Sequence, residues 1–339
     1  MTTLNPQFNI GDKRVGGGAT PYVIAEAGSN FNQSKDQALR LIDTAADAGA
    51  DAVKFQLFRA DVLYPDGGEM HDIFKSVQLD ADWLPDLKAH AESRGLHFSA
   101  SAFDRYSIAA LTELGVPFFK VASSETTNLD LVARMAAAGK PLFLSTGMCG
   151  LGEIADAVEV CNGLGLADVA LMQCQAVYPL DIADVNLAAM DTLRNAFGGA
   201  VGLSDHSLGI FAPIAAAARG ANVVEKHFTL DRSLEGPDHF YALEPDELKT
   251  MVDGVRAAHQ AIGDGVKRLL QPERDHGRRD GLWFAAAAAE GETVTPELLE
   301  VKRPAVGVKA KHRAAVLSAR LRRNVAAGDP VAWDDLSFS

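Results

Sequence analysis

The sequence predicts an α/β protein built on a (β/α)8 barrel, the TIM-barrel fold, and it does so on three counts. Between residue 22 and about residue 265, eight short runs rich in Val, Ile, Leu and Phe alternate with Ala- and Leu-rich stretches of helical spacing. Eight such units over roughly 250 residues is the arithmetic of a closed barrel. Polar and ionisable residues also recur at the carboxyl end of run after run, which is where barrels keep their chemistry.

Taken in order, YVIAEAG leads into a helix over 34–48, and DAVKFQL precedes a helix over 80–94. LHFSAS is followed by 106–114, PFFKVAS by 128–138, PLFLST by 151–163 and VALMQC by 187–196. AVGLSD leads into 209–219, and NVVEKHF into 245–262. Runs that are apolar at nearly every position are the mark of parallel strands covered on both faces. A doubly wound open sheet fits less well, because EAGSNFN after the first run is not the glycine-rich phosphate turn of that fold. The barrel is expected to occupy residues 1–265. A charged stretch over 266–281, without clear period, reads as a linker. Residues 282–339 then carry a faint echo: Gly291, Val294 and Leu299 are answered by Gly328, Val331 and Leu336. Two short β-rich units of this kind make a small domain that is marginal alone and needs something to pack on.

Composition narrows the function classes. With 339 residues, 47% hydrophobic and 23% charged, the chain can bury a full core. A formal charge of −13 argues against nucleic acid or an anionic membrane as partner. No apolar stretch approaches the roughly 20 residues of a membrane span, and the opening MTTLNPQFNIGDKRVGGG lacks a signal-peptide core. Cys149, Cys161 and Cys174, odd in number and without paired spacing, read as reduced thiols of a cytoplasmic protein, Cys174 as a small core residue.

Alternation along a strand sends residues i and i+2 to one side. Lys54 and Gln56 therefore point together, as do Ser204 and His206, and Glu225 and His227. His206 and His227 end the last two strands, which are neighbours in a closed barrel, so two inward imidazoles can share one divalent ion. Asp205 and Glu225 lie near enough to support them. Two ligands suit a labile octahedral ion such as Mn²⁺ or Mg²⁺, with positions left for a substrate oxygen. His97, near the start of its strand, reads as structural. Lys54 and Lys120 interrupt apolar strands and need partners. A bound anion is one, with Ser101, Ser123, Ser145 and Ser204 as neutral donors on the same rim. An internal salt bridge to Glu26 or Glu125 is another, and a Schiff-base lysine is a third. Glu26 is either a general base or the partner of a lysine.

YVIAEAGSNFN, DAVKFQLF, KVASSE, LSTGM, VYP, GLSDHSLG, VEKHFTLDR, GPDH and VKRP follow one another along almost the whole chain. In these segments the sequence resembles the sialic acid synthase family, the phosphoenolpyruvate-condensing enzymes that make nonulosonic acids. Its C-terminal part is similar to the antifreeze-protein-like (SAF) domain those enzymes carry. The resemblance implies a transferase that joins phosphoenolpyruvate to the aldehyde of an N-acyl hexosamine with loss of phosphate. It implies a metal on His206 and His227, Mn²⁺ before Mg²⁺ or Co²⁺. Phosphoenolpyruvate would be gripped by Lys54, Lys120, Ser123, Ser145 and Ser204, joined by Ser101, while Glu26 manages water addition. Gln56, Phe103, Tyr178 and Asp238 match positions lining the sugar pocket. Arg303 matches an arginine that reaches the sugar of a partner protomer, which implies a domain-swapped homodimer.

Three positions depart from the family pattern: Phe31 where a His commonly stands, Ala102 before Phe103 where Pro is usual, and Ala176 two residues before Tyr178 in place of Asn. These bear on the sugar, N-acetylmannosamine or a diacetamido-trideoxy-hexose, and leave the metal and phosphate positions intact. A KDO-phosphate-type synthase and a Schiff-base aldolase are the competing enzyme readings. A non-enzymatic glycan-binding protein would leave the strand-end residues unexplained.

Overall fold

Eight parallel strands close on themselves in the computed structural model, which describes residues 3–275 and 278–338. An antiparallel hairpin, β1 (Gln7–Ile10) and β2 (Lys13–Gly16), comes first. The barrel strands are β3 (Tyr22–Gly28), β4 (Ala52–Leu57), β5 (His97–Ala102), β6 (Phe119–Val121), β7 (Leu142–Ser145), β8 (Val169–Cys174), β9 (Ala200–Asp205) and β10 (Val223–His227), with β10 pairing β3 to complete the ring. Each of the eight apolar runs is one of these strands. The helices are α1 (Lys35–Asp47), α2 (Ala60–Leu63), α3 (Glu69–Val77), α4 (Leu84–Ser93), α5 (Arg105–Leu114), α6 (Leu129–Ala137), α7 (Leu151–Gly163), α8 (Ala189–Phe197), α9 (Phe211–Ala218) and α10 (Pro245–Ile262). Where one helix was expected over 80–94, a 3₁₀ turn at Ala81–Trp83 precedes α4, whose Pro85 suits a first helical turn.

Alternation divides each strand's side chains between two environments. Outward residues such as Val23, Ala25, Val53 and Phe55 join the helices in the main core. Inward residues form layers. The lower layers are apolar, with Tyr22, Ile24, Ala52, Phe118, Phe143, Met172 and Val223 packed into one cluster. Phe8, Ile10 and Val15 of the hairpin belong to that same cluster, so β1 and β2 plug the amino-terminal end of the barrel. The upper layer is polar: Glu26, Lys54, Ser101, Lys120, Ser145, Ser204 and Glu225 are all buried there. Gly202 faces inward with no room to spare, since a Cβ would come 2.4 Å from the Val223 carbonyl oxygen.

Chain contacts divide the molecule after Asp264. The second unit, from Gly265, contains a short helix, α11 (Gln271–Asp275), within the stretch read as linker. Its β-structure pairs β11 (Gly281–Phe284) with β12 (Leu299–Lys302) and β13 (Arg320–Leu321) with β14 (Leu336–Ser337), all antiparallel. The sequence echo has a structural counterpart. Gly291 and Gly328 both take left-handed φ values of 85° and 88°, which favour glycine. Val294 and Val331 are then buried, 3₁₀ turns follow at Pro296–Leu298 and Trp333–Asp335, and buried Leu299 and Leu336 open the strands. Among the described residues no helix is long and apolar enough to cross a membrane.

Candidate active site

Strand order decides which side chains meet. β6 and β10 stand on opposite walls of the ring, yet Lys120 Nζ of β6 lies 3.2 Å from Glu225 Oε1 of β10. An eight-stranded barrel is just narrow enough for such contacts across its axis. Lys54 Nζ sits 2.6 Å from Glu26 Oε2 and 3.5 Å from Glu225 Oε1, and donates to Ser101 Oγ at 2.8 Å. Ser204 Oγ donates to Glu225 Oε1 at 3.3 Å, and Gln56 reaches the other Glu26 oxygen at 3.5 Å. The salt-bridge reading therefore holds for Lys54 and Glu26, whereas the partner of Lys120 is Glu225 and not Glu125.

Burial and charge pull these groups in different directions. Burial, with Glu225 adding to it, pushes the Glu26 carboxyl up to about 7, against the opposing effect of Lys54. Burial would raise Glu225 as well, but the ammonium groups of Lys120 and Lys54 outweigh it and hold Glu225 below the usual carboxylate range. Burial would lower Lys54, but Glu225 and Glu26 more than compensate and its pKa is raised. One carboxylate stays charged and the other is poised near neutrality, an arrangement typical of paired acid–base sites.

At the last two strands the rings of His206 and His227 lie 5.5 Å apart between centroids. His206 Nδ1 lies 2.8 Å from the Gln175 carbonyl oxygen, which as acceptor fixes the tautomer and frees Nε2. Tyr178 stacks on His206 at 4.1 Å, and Tyr241 packs on His227 at 5.4 Å. Burial first, then the neighbouring cations, hold His227 well below the ordinary histidine range, so it is a neutral imidazole. The expected support from Asp205 and Glu225 is not what the structure shows. Asp205 faces away from the barrel axis, 2.6 Å from Lys226 Nζ and bonded by Ser207, and Glu225 serves the lysines. The orienting group is the Gln175 carbonyl for His206, while the carboxylate near His227, Asp238, stands 3.9 Å from Nδ1, too far for a hydrogen bond. Gly28 makes room for that corner: φ is +54°, and a Cβ would come 2.8 Å from Asp238 Oδ2. It lies at an irregularity in the pairing of β3 with β4, a bulge of the kind found beside active sites.

A cavity of about 420 Å³ opens on these groups, within the range of small-molecule sites. Glu26, Lys54, Ser101, Lys120, Ser123, Ser145 and Ser204 line it, together with His206 and His227. Gln56, Phe103, Tyr178 and Asp238 line it too. Arg303 belongs to the second unit, where its Nε lies 2.6 Å from Asp280 Oδ1. Of the positions that depart from the family pattern only Ala176 faces the cavity. Phe31 is fully buried against Phe55 and Trp83, and Ala102 is in the core between strands and helices. Residues not anticipated from sequence are Phe58, Ile73, Phe74 and Val77 on one side and Met148 and Pro237 elsewhere on the rim. The signal that could have found α3 is Met70, Ile73, Phe74 and Val77, spaced i, i+3, i+4 and i+7 in a short segment.

Four buried polar atoms around this cavity have no hydrogen-bond partner among the described residues; Glu26 Oε2 is ion-paired with Lys54 at 2.6 Å, which leaves Ser145 Oγ, Glu225 Oε2 and His227 Nδ1. Buried polar atoms are normally paired, so orphans gathered at one place point to a ligand that completes them. The donor set fits a divalent ion with two imidazole ligands. Among the described residues no group of three or more His, Cys, Asp or Glu side chains converges on one point.

Fold and mouth together define an enzyme of the barrel class, its polar groups gathered at the carboxyl ends of the strands. Within that class the chain belongs to the NeuB family, whose pattern matches residues 41–267, and a SAF domain matches residues 279–337. The chain is 36% identical over 347 residues to the N,N'-diacetyllegionaminic acid synthase of Legionella pneumophila, covering 96% of this chain and 97% of that one. With the enzyme of that name from Campylobacter jejuni it shares 39% identity over 307 residues, covering 85% and 92%. In structure it is similar to the N-acetylneuraminic acid synthetase of Leptospira borgpetersenii solved with citrate. The TM-score is 0.76 at 32% identity, covering 81% of this chain and 96% of the other.

Proposed function

We propose that this protein condenses phosphoenolpyruvate with the open-chain aldehyde of an N-acyl amino sugar and releases phosphate by C–O cleavage. The observation that carries the reading is one cavity with two unlike sets of groups, a floor of buried lysines and serines and a pair of imidazoles beside it. The names of the similar enzymes, synthases of N,N'-diacetyllegionaminic and N-acetylneuraminic acid, agree with it.

Lys54 and Lys120, with Ser101, Ser123, Ser145 and Ser204, take the phosphate and carboxylate, the carboxylates of Glu26 and Glu225 ceding part of their hold on the ammonium groups. Gln56, Phe103, Tyr178 and Asp238 hold the sugar with its aldehyde carbon over the methylene carbon of phosphoenolpyruvate. That carbon attacks the aldehyde carbon, whose C=O π pair moves onto the oxygen and takes up a proton; the new C–C bond leaves positive character on the enol carbon, and water adds there. Glu26, titrating at about 7, accepts the proton of the adding water. The tetrahedral carbon then expels phosphate. A divalent ion held by His206 and His227, Mn²⁺ before Mg²⁺ or Co²⁺, would supply Lewis-acid polarisation of the aldehyde oxygen. Arg303 of a second copy contacts the acyl-amino group, which makes the working form a domain-swapped homodimer. Three cysteines without disulfides support a cytoplasmic location. At Lys54 a Schiff-base role is disfavoured, because it needs an amine of lowered pKa and this one is raised, against burial, by Glu225 and Glu26.

The test is phosphate release from purified protein given phosphoenolpyruvate, an N-acyl amino sugar and Mn²⁺, with each omitted in turn. Release is expected only with all three present. Full activity after exhaustive chelation sinks the metal assignment, and covalent trapping of pyruvate by borohydride sinks the condensation. Arg303→Ala is expected to raise the sugar KM about tenfold and leave the phosphoenolpyruvate KM within twofold, the scale of one lost charged hydrogen bond. An equal rise in both removes Arg303 from the sugar site.

A further inference from the structure

A second cavity, of about 400 Å³, lies at the closed end of the barrel and shares no lining residue with the catalytic one. Tyr22, which opens β3 and belongs to the lower apolar cluster, lines it together with Ala19, Thr20 and Pro21. Three further segments meet there: Lys13 and Arg14 of β2, Asp51 just before β4, and Arg256 and Gln260 of α10.

The charge of this cavity is opposite to that of the chain. Lys13, Arg14 and Arg256 stand against one carboxylate, Asp51, an excess of two positive charges in a chain of −13. That carboxylate is already engaged: Oδ1 lies 2.6 Å from Lys13 Nζ, and Oδ2 accepts from the Val23 amide at 2.8 Å. Arg256 comes no nearer to Asp51 than 4.0 Å and donates to the Gly49 carbonyl at 2.5 Å, while Arg14 donates to Gln7 Oε1. Both guanidinium groups therefore bond to neutral oxygens. Asp12, the acid of the hairpin turn, lies by His97 at 3.7 Å instead. The backbone leaves room for the two arginines. Gly17 and Gly49 have φ of +59° and +80°, and a Cβ there would come 2.8 Å from an Arg14 nitrogen and 3.4 Å from one of Arg256. Like charges gathered round one cavity repel, and an anion seated among them relieves that repulsion.

We infer that this cavity is a second anion site, separate from the catalytic floor, for a small oxyanion of two or more charges. A phosphate group and a polycarboxylate share that chemistry, and the guanidinium fork matches both. Thr20 and Gln260 supply a hydroxyl and an amide for the remaining oxygens. The volume leaves room for a small organic body attached to the charged group. An anion held there ties the hairpin, α10 and the turn before β4 to one another, and so steadies the plug of the barrel.

The experiment follows amide hydrogen exchange by mass spectrometry on the full chain, titrated with inorganic phosphate or with citrate. Sodium chloride at equal ionic strength is the control. An oxyanion should slow exchange over residues 13–21, and the more protective of the two names the source of the charge. Arg14→Gln should raise the half-saturating concentration about tenfold, the scale of one charged hydrogen bond. Arg256→Gln should do the same, and Arg256→Lys, which keeps the charge, should lose less. The phosphoenolpyruvate KM should stay within about twofold in all three. Arg14 is exposed, so its variant tests the site even where Arg256→Gln does not fold. No protection in the wild type, equal protection by chloride, or undiminished protection in Arg14→Gln overturns the site. A parallel rise in the phosphoenolpyruvate KM overturns it too, because the protection would then come from the catalytic floor.

Discussion

The lower and upper halves of the barrel interior are made by the same eight strands and differ in almost every chemical respect. Two residues along β3 the inward side chain changes from Ile24 to Glu26, along β4 from Ala52 to Lys54, and along β10 from Val223 to Glu225. Below, aromatic rings close the gap: Phe118 and Phe143 lie 4.9 Å apart and both meet Tyr22 at 6.0 Å. Above, the groups are held by opposite charge, with three polar atoms left over for a ligand. The eight strands set the radius of the ring and the apolar layers fill it below, while above that radius lets Lys120 and Glu225 meet from opposite walls. Stability is made in one half and chemistry in the other, about two residues apart.

The comparison breaks most visibly in the upper half. His206→Ala should lower phosphate release about a thousandfold, the equivalent of the several kcal/mol a Lewis acid contributes, and weaken Mn²⁺ binding measured by calorimetry. Its melting temperature should stay close to that of the wild type; a large fall would mean that the upper half also carries the fold. In the lower half Phe143→Ala removes a fully buried ring and should cost about 3–5 kcal/mol of stability in denaturant unfolding. At temperatures where it remains folded, both substrate KM values should hold; a selective loss for one substrate would erase the division. The smallest effect sharpens the boundary between halves. Glu26→Gln mimics the protonated carboxyl, so wild type and variant should bind phosphoenolpyruvate equally at pH well below 7. As pH rises through about 7, Glu26 takes up negative charge and repels the anion, so the variant should bind better by a margin that grows to about tenfold. Parallel pH profiles in calorimetry would show that Glu26 does not titrate there.

Much of this was legible in the sequence because parallel strands covered on both faces leave long apolar runs, and a lysine inside one stands out. Lys54, Lys120, His206 and His227 were visible for that reason. The pairing of Lys120 with Glu225 was not, because they lie 105 positions apart and nothing in either strand records which wall it will face. Asp205 looked available to the histidine beside it, but alternation turns it outward, where it pairs with Lys226. The hairpin escaped because Phe8, Ile10 and Val15 are too few to show a period. α3 escaped because it buries nothing of its own, and Phe31 misled because a change in a loop motif does not tell whether the side chain faces ligand or core.

The hairpin has a further consequence for traffic. With Phe8, Ile10 and Val15 seated in the lower cluster, the barrel is blind at one end, and everything that reacts must pass through a single mouth. The floor that suits an anion lies beneath the rim that suits a sugar. A sugar already seated would cork the passage, so the anion has to go down first. Initial-rate patterns should accordingly be those of compulsory order, and random-order kinetics would mean that the mouth is wider in solution than the side chains around it suggest.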